Sequence, residues 1–256
     1  MAHTDLIIET SSLTKSFNGF TAVNAVDLRV RRGTIHALIG PNGAGKTTCF
    51  NLLTKFLTPT SGQIFFHGKE ITRAAPASIA RRGVIRSFQI SAVFPHLSPV
   101  ENVCIGLQRA LGVSFRFWMS SAVLGRLRKR ALELLDEVGL AAFADVKTAE
   151  LSYGHKRALE IATTLAMDPV LMLLDEPTQG MGHEDVDRVT ALIKKVSTGR
   201  TILMVEHNMK IISSISDTIT VLQRGEILAE GAYEAVAADP RVREAYMGTE
   251  NGSLEH

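Results

Sequence analysis

A chain of 256 residues with 45% apolar and 21% charged side chains is long enough to bury a full core and ordinary in composition for a globular protein. Its formal net charge of +2 is too small to imply a nucleic-acid partner, and Cys49 and Cys104 have neither metal-site nor disulfide spacing, as expected in a reducing cytoplasm. No apolar run reaches the roughly 18 residues that span a bilayer, and Met1 to Asp5 lacks the basic start and apolar stretch of a secretion signal.

In chain order, Leu6 to Glu9 reads as a strand. Val23 to Val30 reads as another, with Val26, Leu28 and Val30 alternating against Asp27 and Arg29 as in a half-exposed antiparallel sheet. Thr34 to Ile39 is a short apolar strand, and Thr48 to Leu53 begins a helix in which Cys49 is a small packing residue. Gly62 to Gly68 reads as a glycine-bounded strand, 76 to 82 as a short helix and Val84 to Phe88 as a strand. From about 98 to 168 the pattern is helical, with Ala131, Leu132, Leu134, Leu135 and Val138 as one apolar face. The basic cluster Arg126, Arg128, Lys129 and Arg130 is then a solvated helix face.

Strands and helices alternate afterwards: Val170 to Leu174, a helix near 184 to 197, Thr201 to Val205, and a helix near 208 to 214. This is the order of a parallel sheet with crossover helices. Val170 to Leu174 has no polar alternation, as a strand covered on both faces requires. Residues 217 to 230 read as a hairpin turning at Gln223-Arg224-Gly225-Glu226, two short helices follow, and 251 to 256 reads as an appended tail.

Between the strand ending at Ile39 and the helix after it lies Gly40-Pro41-Asn42-Gly43-Ala44-Gly45-Lys46-Thr47, which fits the phosphate-binding loop of nucleotide triphosphatases. Glycines let successive N–H groups turn inward toward phosphate oxygens, and a helix N-terminus adds positive potential. Asn42, Gly43, Ala44, Gly45, Lys46, Thr47 and Thr48 are therefore the candidate nucleotide-binding residues, with Lys46 for the β- and γ-phosphates and Thr47 for Mg²⁺. The strand Leu173-Leu174 runs into Asp175-Glu176-Pro177, at the strand edge where ligands bind. Asp175 is placed for the Mg²⁺ shell and Glu176 to polarise the attacking water. A glycine turn with a surface lysine, and two acids capping a strand, are the plainer alternatives; the paired motifs outweigh them.

These residues resemble the ATP-binding subunits of ABC transporters over roughly residues 6 to 248. Phe17 matches the aromatic that stacks on adenine. Gln89, in Arg86-Ser87-Phe88-Gln89, matches the glutamine that touches Mg²⁺ and the water. Leu151-Ser152-Tyr153-Gly154-His155 matches the signature, and Glu206-His207 the switch histidine. The resemblance implies an α/β P-loop NTPase with a mostly parallel central sheet, an antiparallel β subdomain and a helical signature subdomain at 98 to 168, within one ATPase domain from 6 to 250. It also implies ATP and Mg²⁺ as ligands, catalytic roles for Glu176, His207 and Gln89, and a head-to-tail dimer. In that dimer ATP lies between one chain's Lys46 and the other chain's Ser152 and Gly154, the second anion site at a helix N-terminus. Two departures stand out: Tyr153 where glycine is usual, and Gly182 where the D-loop aspartate is usual. His183, Glu184, Asp185 and Asp187 read as an acidic helix start more readily than as a metal cluster.

Within the family, the signature with Arg157-Ala158-Leu159-Glu160-Ile161-Ala162, the run Val205 to Met209 and the tail from Asp239 to Gly248 resemble the longer ATPase subunit of branched-chain amino acid importers. That implies two integral-membrane permeases, a second ABC ATPase that is a paralogue or a second copy, an indirect link to a periplasmic binding protein, no nucleic acid, and a peripheral position on the cytoplasmic face of the inner membrane. Residues 90 to 103, with Phe94-Pro95-His96-Leu97, are the candidate docking surface, or else ordinary core. An exporter ATPase of the lipopolysaccharide-transport type is an alternative, although it keeps the glycine that Tyr153 replaces. A soluble ABC protein of translation or DNA repair usually has two ATPase halves or a coiled-coil insert, and this chain has one phosphate loop and no heptad run.

Overall fold

The computed structural model describes residues 5–87, 93–110 and 121–250, without the side chains of 110, 121, 122 and 247–250. The first strand, β1 (Leu6–Phe17), turns through Asn18 and Gly19, both at positive φ, into β2 (Phe20–Val26). Such a turn matches the twist of a hairpin. β1 runs well beyond Glu9 because the sheet absorbs its polar residues. The Thr10 hydroxyl donates to the Val26 carbonyl at 2.7 Å, and the Thr14 hydroxyl accepts the Ala25 N–H at 3.0 Å.

The single strand expected over Val23 to Val30 is two. After β2 the Asp27 carboxylate accepts the Ser12 N–H at 2.6 Å, the Leu28 N–H goes to the Thr10 hydroxyl at 2.8 Å, and the chain resumes as β3 (Arg29–Arg31). The alternation survives the break: Val26, Leu28 and Val30 are buried, Asp27 and Arg29 exposed. β4 (Ile35–Ile39) leaves this sheet and feeds α1 (Lys46–Leu53). β5 (Ser61–Phe66) returns to pair with β1, and β6 (Lys69–Glu70) pairs with β5. β1, β2, β3, β5 and β6 thus form an antiparallel sheet.

The second sheet is larger. After α2 (Pro76–Arg81) come β7 (Val84–Ser87), three helices α3 (Pro99–Ala110), α4 (Ser121–Glu137) and α5 (Tyr153–Leu165), then β8 (Leu171–Asp175), α6 (His183–Val196), β9 (Thr201–Val205), α7 (Met209–Ile215), β10 (Thr218–Gln223) and β11 (Glu226–Gly231). The chain ends in α8 (Tyr233–Ala238) and α9 (Pro240–Glu250). The strand order is β11-β10-β4-β9-β8-β7, parallel throughout except for the β10–β11 hairpin.

Successive residues of β4, β8 and β9 face opposite sides of this sheet, and both sides are covered. Ala37, Met172, Leu174, Ile202 and Met204 join the helices α3 to α7 in one core. Leu38, Leu171, Leu173, Leu203 and Val205 join α1 and the antiparallel sheet in the other. On α4, Ala131, Leu134 and Leu135 are buried, with Val138 just beyond its end, but Leu132 is exposed, because it lies about 100° around the helix from Ala131. Val170 likewise stands exposed just before β8.

Candidate active site

β4 delivers the chain to Gly40 at φ 149°, where a Cβ would collide with the Leu222 carbonyl of β10. Gly45 caps α1 at φ 101° with the Ala22 carbonyl against its open side. Neither place admits a side chain. The loop is closed by the Ala44 N–H donating to Pro41 at 3.1 Å and by the Gly225 N–H donating to the Ala44 carbonyl at 3.1 Å. Asn42, Gly43 and Thr47 are exposed and Thr48 is half-buried. α1 has no capping side chain and no acid in its first turn, so its leading N–H groups remain available to an anion. The Lys46 ammonium donates to the carbonyls of Gly40 at 2.7 Å and Pro41 at 3.0 Å. Burial lowers its pKa, and the charges of Glu176 and Asp175 oppose that fall.

Those two acids stand at the end of β8. Asp175 is fully buried; one carboxylate oxygen, Oδ2, is ion-paired to Arg86 of β7, while Oδ1 has no hydrogen-bond partner among the described residues. A buried carboxylate oxygen left bare is costly unless something occupies it. Glu176 follows at φ 44°, its N–H donating to the Val205 carbonyl at 2.9 Å. A non-glycine residue held there is strained, a cost met at functional positions.

Two buried side chains brace this edge. Arg157 of α5 donates to the Pro177 carbonyl at 3.0 Å and the Asp175 carbonyl at 3.2 Å and pairs with Glu160, tying α5 to the end of β8. Glu206 accepts the Thr178 hydroxyl, the His207 N–H at 2.9 Å and the Asn208 N–H at 3.1 Å, fixing the turn from which the exposed His207 imidazole projects. Neither role was read from the sequence. A lone arginine among the apolar residues of the α5 pattern was the available signal.

Ser152 caps α5, its hydroxyl accepting the His155 N–H at 3.3 Å. Tyr153, 55% exposed, donates to the Gln179 carbonyl at 3.2 Å, so the departure from glycine links the signature to the loop after Glu176. Gly154 has the Asp185 carboxylate against it and no room for a Cβ. Among the described residues no hydrogen bond or ion pair joins Ser152 or Gly154 to residues 40 to 48. Gly182 is the N-cap of α6, with Glu184 and Asp185 in the first turn, as the acidic helix start predicts. Phe17 ends β1, 41% exposed, with the Lys15 ammonium 5.0 Å from its ring centroid. Gln89 and residues 90 to 92 of the candidate docking segment lie outside the described residues. In the rest of that segment Phe94, Pro95 and His96 are exposed, and buried Asn102 clasps the Phe94 backbone at both ends. Among the described residues no helix is long and apolar enough to cross a membrane.

A buried parallel strand, a glycine loop with an embedded lysine, a bare helix N-terminus and two facing carboxylates define a P-loop nucleotide-binding fold. Residues 23–179 match the ABC transporter family, and residues 226–251 match the family described as branched-chain amino acid ATP-binding cassette transporter. The chain belongs to the ABC transporter ATP-binding family. It is 40% identical over 249 residues to the high-affinity branched-chain amino acid transport ATP-binding protein BraF of Pseudomonas aeruginosa, covering 94% of this chain and 98% of that one. It superposes with a TM-score of 0.84 and 30% identity on the ADP conformation of MJ1267, an ATP-binding cassette of an ABC transporter, over 95% of this chain and 99% of the other. With the dimeric post-hydrolysis state of the cassette MJ0796 bound to ADP and Pi, the TM-score is 0.74 at 26% identity, over 89% and 99% of the chains.

Proposed function

We propose that this chain is the ATP-hydrolysing subunit that powers an importer of branched-chain or related amino acids. The observation that carries the reading is the near full-length likeness to BraF, joined to a match of the C-terminal 226–251 segment to the branched-chain family.

The residues have the following work. The loop N–H groups from Asn42 to Thr48 and the Lys46 ammonium hold the β- and γ-phosphates, and Phe17 stacks on the adenine. Asp175 Oδ1 and the Thr47 hydroxyl are suited to Mg²⁺, since the first is a buried acceptor with no partner among the described residues and the second is exposed beside the loop. Gln89 is the third residue assigned to that shell. Mg²⁺, when bound, supplies neutralisation of charge on the phosphate oxygens. Glu176 accepts the proton of the attacking water, and His207 orients the γ-phosphate end. Ser152 and the Gly154 N–H serve the phosphate held by a second ATPase subunit, because they lie on another helix start with no bond to their own loop. Head-to-tail pairing then makes ATP the contact between subunits, and its hydrolysis releases them.

The helical segment 98 to 168 and the exposed Phe94 loop face two permeases at the cytoplasmic side of the inner membrane, with a periplasmic binding protein beyond them. The solute is chosen by those chains. Affinity co-purification from detergent-solubilised native membranes, followed by mass spectrometry, tests the whole. Two multi-span permeases and a second small ATPase are expected. Recovery of soluble partners alone, such as ribosomal proteins, overturns transport while leaving ATP hydrolysis intact.

A further inference from the structure

Helix α9 reaches the phosphate loop through one side chain. Tyr246 is half-buried, packs against the core of the large sheet, and its hydroxyl oxygen accepts the N–H of Gly40, the first residue of the loop. On its other side Gly40 abuts the Leu222 carbonyl of β10 so closely that a Cβ has no room. The Gly40 carbonyl, in turn, accepts from the Lys46 ammonium at 2.7 Å. One backbone unit is therefore held by β10 and α9 and itself holds the phosphate-binding lysine. The rest of α9 stands off: Pro41 to Ala44 on one wall and Arg241, Glu244 and Ala245 on the other line a cleft of about 620 Å³. Val242 and Ala245 are buried and anchor the helix independently of that hydroxyl.

We propose that Tyr246 is a positioning residue for ATP binding: its hydroxyl orients the Gly40 end of the phosphate loop and, through it, the Lys46 ammonium. The proposal rests on residues 40 to 48 being the ATP phosphate site. It gives the C-terminal segment, which matches the branched-chain family at 226–251, a direct part in that site.

Three variants separate this from packing alone. Tyr246→Phe keeps the ring and removes the hydroxyl. It should weaken ATP affinity and raise the KM for ATP by about 3–10-fold, the size of one hydrogen bond, with kcat changed less than about twofold and the melting temperature within about 2 °C. Val242→Ala loosens the same helix without touching the hydroxyl; it should lower the melting temperature and leave KM unaltered. Lys46→Ala should lose ATP binding. A Tyr246→Phe protein with wild-type affinity, or a Val242→Ala protein that reproduces its rise in KM, overturns the proposal while Lys46→Ala still fails to bind. If Lys46→Ala binds ATP as the wild type does, the phosphate-site reading itself is wrong. Amide exchange gives a check that needs no variant: Gly40 should be protected in the wild-type chain, and free exchange there overturns the contact.

Discussion

Arg86 neutralises one oxygen of Asp175 and leaves the other bare. The arginine sits on β7, the neighbour of β8, and also donates to Asn51 of α1, so it joins the acid to the helix that follows the phosphate loop. Both members are largely removed from water, and a buried charge stripped of its partner is far more costly than the pair is worth. Arg86→Met should therefore destabilise the chain by about 3 kcal/mol, read as a lower midpoint in urea. Adding Asp175→Asn should recover much of the loss by removing the stranded charge. A double variant as unstable as the single one would mean that Arg86 acts by packing over Phe50 and not by charge.

Glu176 is held at φ 44° by its bond to Val205, directly after the acid at the strand end. Backbone strain at that residue points to a side chain that must aim at one place. Glu176→Gln keeps size and hydrogen-bonding capacity but removes the base. It should bind ATP normally and hydrolyse it about 10²–10⁴-fold more slowly. Phosphate release measured beside equilibrium ATP binding distinguishes the cases, and wild-type turnover would remove Glu176 from the catalytic role.

What could be read from the sequence was what local physics determines. The apolar runs of β4, β8 and β9, the glycine loop and the hairpin at Gly225 all carry their reasons within a few residues. The length of β1 was missed because Thr10 and Thr14 read as loop until their hydroxyls find the Val26 carbonyl and the Ala25 N–H. Leu132 was assigned to the core because it adjoins Ala131 in sequence, although helical geometry turns it outward. Arg86, Arg157, Glu206 and Tyr246 were quoted within motifs without roles. Each acts on a group 18 or more residues away, or on a turn that only the fold closes, and no local pattern encodes such a partner.

Phe17 is 41% exposed at the end of β1 and carries a cation near its face, so its ring is available to a second flat partner. If that partner is adenine, Phe17→Ala should weaken ATP and ADP alike, by roughly tenfold for a stacking contact of 1–3 kcal/mol. Fluorescence titration with each nucleotide decides the matter. A loss confined to ATP would show that the ring serves the γ-phosphate end instead.

His36 lies one strand position into β4, buried, with Nε2 2.7 Å from the Thr220 hydroxyl. That hydroxyl donates to the Glu230 carboxylate at 2.7 Å, so it must accept from His36, which makes the imidazole neutral with its proton on Nε2. Burial lowers its pKa from 6.5 to about 4. Below pH 6.5 the unfolded chain takes up a proton that the folded chain refuses until about pH 4. The stabilisation is therefore complete above the unfolded pKa and is lost as pH falls through this window, by roughly 3 kcal/mol in total. Urea denaturation of the wild type and of His36→Gln, compared from pH 4 to 7, should give a difference that grows with pH across that range and levels off above it. A difference independent of pH would mean that His36 is protonated in the folded chain as readily as in the unfolded one, and that the Thr220 and Glu230 relay does not hold it neutral.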